Sequence, residues 1–155
     1  MTDSALHTPR TTAAGSTFWS RVRDEPAFAA FWILRVGFVA LPLWMGIDKY
    51  ANTLTSWPHY LAPWIVDILP FSAQTAMFIV GAVEIIAGIA IAIKPRYASY
   101  VVALWLAGII VNLLTYSGFY DVALRDFGLL VAALALSRLA AVYDTPWRSR
   151  ATSTR

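Results

Sequence analysis

Seven polar side chains stand inside or beside apolar stretches of this 155-residue chain: Arg35, Asp48, Lys49, Glu84, Asn112, Arg125 and Asp126. Ionisable groups at membrane depth face protein or water, and they mark either helix-joining pairs or sites for ions, protons and carriers. Glu84 is the most exacting of them. It lies near the middle of Ser72–Ile93, an apolar run of 22 residues, long enough to cross a bilayer as a helix. Gly81 and Gly88 share its helical face, with Ala92 continuing the stripe, so another helix can come close there. Phe78, Ile79, Ile86, Ile89 and Ile93 are left for the lipid side.

Two ionic groups are expected. In the inner half of the bundle, one arginine side chain covers the depth difference between Arg35 and Glu84, which predicts a buried pair. Near the outer face Asp48, Lys49, Asn112, Arg125 and Asp126 collect, with Lys49 set against Asp126 and Asp48 against Arg125. One account makes both groups structural ties between helices. The other makes them the lining of a cavity for a carrier or a proton.

The elements that must position these residues are legible in composition and spacing. The chain is 59% hydrophobic and 14% charged, where soluble domains carry nearer a quarter charged residues. Four spans are expected, at about 28–47, 72–93, 97–117 and 120–141, forming an all-α, polytopic membrane four-helix bundle. Pro42 should bend the first span. Between spans one and two, Trp57, Tyr60, Leu61, Trp64 and Ile68 recur at helical spacing, interrupted by Pro63 and closed by Pro70. This predicts a short kinked helix in the interface with Trp57 and Trp64 as anchors, or else a lid over a cavity. Residues 1–24 read as a polar, mostly disordered arm in which Phe18 and Trp19 can touch headgroups. Residues 25–142 read as the membrane domain and 143–155 as a basic tail.

Nine of the 12 Lys and Arg residues fall on the side of both termini, which the positive-inside rule makes cytoplasmic in a plasma (inner) membrane. With no cysteine and no histidine in any span, disulfides, thiol chemistry and bis-histidine haem are excluded, and zinc or copper sites are not expected. A net charge of +3, held at flanks and tails, does not indicate nucleic acid.

Three local patterns carry a family resemblance: Gly46-Ile47-Asp48-Lys49, Gly81-Ala82-Val83-Glu84 running into Gly88, and Arg125-Asp126-Phe127-Gly128-Leu129-Leu130. In their order on a four-span plan, over about residues 31–141, the chain resembles the DoxX family of small membrane proteins. The resemblance implies a non-catalytic membrane subunit or scaffold of a quinone-linked oxidoreductase or oxidative-stress complex, with quinone as the carrier and oxidoreductase subunits as partners. Lys49, Glu84, Arg125 and Asp126 are the positions that match. The alternative from the residues themselves is a small transporter or proton-coupled carrier that titrates Glu84 and assembles as a homo-oligomer.

Overall fold

The computed structural model describes residues 17–116 and 118–144, and every described element is helical. The order is α1 (Phe18–Asp24), α2 (Pro26–Ala51), a 3-10 turn (Trp57–Tyr60), α3 (Pro63–Ile68), α4 (Ala73–Ile93), α5 (Pro95–Leu114) and α6 (Tyr120–Tyr143). Four of these, α2, α4, α5 and α6, are long and apolar enough to cross a bilayer. The 21 residues of α4 span about 31 Å, the thickness of the hydrocarbon layer.

Local chemistry sets the boundaries. Prolines open α2, α3 and α5, where a missing N–H costs nothing. Ser72 caps α4 by accepting from the Thr75 N–H. Asn52 ends α2 in the left-handed conformation, φ 51°. Only Lys94 separates α4 from α5. Pro42 sits within α2, which stays helical through it, and leaves the Phe38 carbonyl without its helical donor.

The spans form a ring in the order α2, α4, α5, α6. The α2–α4 and α5–α6 pairs pack closely, and the pairs meet each other more loosely. One end of the bundle, here the terminal end, carries the start of α2, the Lys94 junction and the end of α6. It is filled by a tight core including Phe31, Ile91, Ala133 and Leu136, all nearly inaccessible. The other, the loop end, carries the segment 52–72 and the turn before α6.

The lipid face of α4 is as expected: Phe78, Ile79, Ile86, Ile89 and Ile93 are all exposed. Ala92 is exposed as well, and Ile91 continues the buried stripe in its place. The N-terminal arm also departs from expectation where it is described. Thr17 caps α1, and Phe18 packs edge-on against Phe28 and Trp32, at 5.7 and 5.4 Å between ring centroids. Arg21 lies over the Phe28 ring, 4.0 Å from its centroid. A residue pattern too short for a stable isolated helix is held by aromatic packing. Residues 1–16 and 145–155, the rest of the arm and nearly all of the tail, lie outside the described residues.

Candidate functional site

The site grows from one close helix crossing. A Cβ on Gly46 would lie 2.7 Å from the Gly81 carbonyl oxygen, and a Cβ on Gly81 equally close to that of Gly46. Only glycine permits this approach of two backbones. It fixes the antiparallel register of α2 on α4. Contacts on either side agree with it: Tyr50 donates from its hydroxyl to the Phe78 carbonyl at 2.8 Å, and Arg35 Nη2 donates to the Ala92 carbonyl at 2.6 Å.

In that register Lys49, not Arg35, meets Glu84. Lys49 Nζ donates to Glu84 Oε2 at 2.7 Å, and Lys49 is only 4% exposed. The expected Arg35–Glu84 pair is therefore corrected. Helical side chains lean toward their own N-terminus. On antiparallel helices this tilts Lys49 and Glu84 toward each other across a few turns. It tilts Arg35 and Glu84 apart. Arg35 instead reaches the terminal end, where Nη1 pairs with Asp144 at 3.3 Å and the guanidinium lies over Trp32. Asp144, assigned to the tail from sequence, belongs to the folded bundle.

Both pairs expected at the loop end are also corrected. Asp48 does not meet Arg125. It accepts from the Thr53 hydroxyl and N–H, the Leu54 N–H and, at 2.8 Å, Trp57 Nε1. This carboxylate organises the chain as it leaves α2, using donors that the following turn supplies. Arg125 turns outward to Asp121 on its own helix, at 3.1 Å, with its side chain 76% exposed. Lys49 is taken by Glu84, so Asp126 has neither an ion pair nor a hydrogen bond among the described residues.

Trp57 is not an interfacial anchor. It is 8% exposed, and Lys49 Nζ lies 3.8 Å from the centroid of its ring. Lys49 thus carries two contacts that stabilise an ammonium, a carboxylate and an aromatic face. Trp64 is the exposed member of the pair, and its Nε1 donates to Thr115 Oγ1 at 3.0 Å. The apolar stripe expected at helical spacing is split between the 3-10 turn, which faces inward, and α3. Asn112 secures this segment from α5. Its amide donates to the Tyr60 carbonyl at 2.7 Å and accepts from the Ala62 N–H at 2.9 Å.

Beneath the segment lies a cavity of about 630 Å³ between the helix pairs. Its floor is the top of the packed core, at Phe38, Val102 and Leu106. Trp57, Tyr60 and Leu61 cover it, so the lid alternative describes the segment better than the anchor alternative. Its walls are mainly apolar. Of the seven polar residues singled out in the sequence, five line it: Lys49, Glu84, Asn112, Arg125 and Asp126. Trp105 lines it too, and its buried indole N–H has no partner among the described residues. Trp105 falls at helical spacing from Gly108 and Asn112, and no sequence signal marks its N–H as lacking an acceptor. Thr53 and Tyr50, which the polar constellation relies on, carry no distinguishing sequence pattern.

A cavity of this size accommodates a drug-sized molecule, with few polar groups to orient it. Comparison with family models, with curated proteins and with solved structures finds no match to this chain.

Proposed function

We propose that this protein is a DoxX-like membrane subunit that holds a lipid-soluble carrier of the quinone type for a partner oxidoreductase, without catalysing a reaction itself. The observation that supports this is the lidded apolar cavity with its charges gathered at one end. An isoprenoid-like body fits the apolar walls between the loosely joined helix pairs. A ring head fits among Trp57, Trp105 and the Lys49–Glu84 pair. The proposal places both termini in the cytoplasm at the plasma membrane, with redox chemistry supplied by the partner. Proton-coupled carriage through Glu84, by a homo-oligomer, is the second proposal. The observation in its favour is two carboxyl groups, Glu84 and Asp126, sharing one cavity with one buried lysine. Against it, the packed core closes the cavity toward the terminal end.

Purification in mild detergent followed by mass spectrometry of the lipid extract tests the first proposal directly. Co-purified quinone is expected. Added decylubiquinone should quench tryptophan fluorescence saturably, and Trp57→Phe with Trp105→Phe should remove most of that quenching. No extracted quinone and no saturable quenching would overturn the proposal. Single cysteines at Ser56 and Thr17 test the topology. Ser56→Cys should label from outside intact cells and Thr17→Cys should not.

A further inference from the structure

We propose that Asp126 is the hydrogen-bond acceptor for the bound molecule's head, so that the cavity selects a hydroxyl-bearing ring over the same ring with bare carbonyls. This deepens the carrier proposal and rests on it.

The inference follows from which polar groups in the cavity are already committed. On α2, Lys49 is held by Glu84 and by the Trp57 ring. On α4, Glu84 is held by Lys49. On α5, Asn112 spends both its amide oxygen and its amide nitrogen on the backbone of the covering segment. On α6, Arg125 is turned to Asp121. The Thr55 and Tyr60 hydroxyls can donate or accept, and the Phe38 carbonyl is freed by Pro42. Beside them, two side chains remain that are fixed in one role. Asp126 is half-buried against the cavity without a donor among the described residues, and Trp105 carries a buried N–H without an acceptor among them.

An ionised carboxylate only accepts hydrogen bonds, and an indole only donates. A ring hydroxyl satisfies Asp126 by donating and can accept through its second function. A ring carbonyl has nothing to give Asp126 and brings its oxygen lone pairs toward a carboxylate. Such a site discriminates strongly, because the wrong ligand leaves a buried polar group unpaired. The selection is thus for the reduced form of a quinone/quinol couple. No electron transfer is assigned to this chain.

The test compares decylubiquinol with decylubiquinone on the full-length protein in detergent, under anaerobic and mildly alkaline conditions, by tryptophan quenching. The wild type should bind the quinol about tenfold more tightly, the worth of one hydrogen bond to a charged acceptor. Asp126→Asn should abolish the preference, because the amide can donate to a carbonyl. Its affinity for the quinone should hold or rise, which also reports that the variant is folded. Asp126→Glu should retain a preference. Equal affinities in the wild type, or a preference that survives in Asp126→Asn, would overturn the inference and leave the carrier proposal standing. Binding of neither form would overturn both. Tetraphenylphosphonium, an apolar cation with no hydrogen to donate, serves as the third probe. If it binds more tightly than the quinol and depends on Asp126, the carboxyl pairs with charge and the inference fails.

Discussion

The two ends of this bundle are built from the same helices by opposite means. At the terminal end Phe31, Ile91, Ala133 and Leu136 leave almost no surface accessible, and Arg35 ties three helices there through Ala92, Asp144 and its own Trp32. At the loop end the same four spans part around a cavity, where Lys49–Glu84 and Tyr50–Phe78 join α2 to α4 and Asn112 ties α5 to the covering segment. In lipid no hydrophobic force presses helices together, so close packing and hydrogen bonds must do so. The terminal end is filled by side chains with Arg35 added, whereas the loop end rests on one close backbone crossing, Gly46 on Gly81, and a few directional bonds. An end held by a few directional bonds can admit a ligand where a filled core cannot.

The sharpest way to break the loop end is to strand its buried cation. Glu84→Gln should cost about 3–5 kcal/mol, because Lys49 keeps its charge and loses its carboxylate. Unfolding in mixed micelles measures this. The double change Lys49→Met with Glu84→Leu should recover most of the loss. A double variant as unstable as the single one would show that the pair is not what couples α2 to α4. At the terminal end the corresponding change is Leu136→Ala, with an expected loss of about 2–5 kcal/mol from cavity formation. Ligand affinity should be unchanged in the folded fraction, and a parallel loss of binding would mean that the two ends are not separable.

Most of this division was legible in the chain itself. The four spans follow from hydropathy, and the lipid face of α4 from the placement of its isoleucines. The gathering of Asp48, Lys49, Asn112, Arg125 and Asp126 toward one end follows from where each falls in its span. Their partners were not legible by depth alone. Depth measured along the axis favoured Arg35 for Glu84, whereas the tilt of side chains on antiparallel helices favours Lys49. Register was needed as well, and it is set by Gly46 against Gly81, two residues that periodicity marks only as small. The covering segment was harder again. Its fold depends on tertiary bonds from Asp48 and Asn112, and its helical spacing pointed to one continuous face that the structure divides.

The glycines give a smaller and more local test, within the loop half, of close packing against open cavity. A side chain at Gly81 meets backbone, and one at Gly108 meets nothing within 4 Å. Gly81→Val should therefore cost about 1–3 kcal/mol, while Gly108→Val should leave stability nearly unchanged and reduce the space for ligand. Equal destabilisation by the two would contradict the packing described for α2 and α4.

Asn112→Ala should have little effect on the spans and the most selective effect on the lid. The change removes the donor to the Tyr60 carbonyl and the acceptor for the Ala62 N–H, and Ala62 is fully buried. Leaving such groups unpaired costs about 2 kcal/mol in total. Little of that cost should fall on the spans, because among the described residues the Asn112 side chain bonds no other span. It should appear as opening of the segment 57–62, which retains the Asp48–Trp57 bond, the Lys49–Trp57 and Tyr60–Phe119 contacts and, just beyond it, the Trp64–Thr115 bond. Hydrogen exchange in detergent can separate the two outcomes. Amides of residues 59–66 should lose protection, while those of α4 and α6 keep theirs. Ligand should also dissociate faster from Asn112→Ala, since the cover rather than the cavity wall has been loosened. If exchange rises equally in all four spans, Asn112 is a strut of the bundle, and the loop end is held together in the same way as the terminal end.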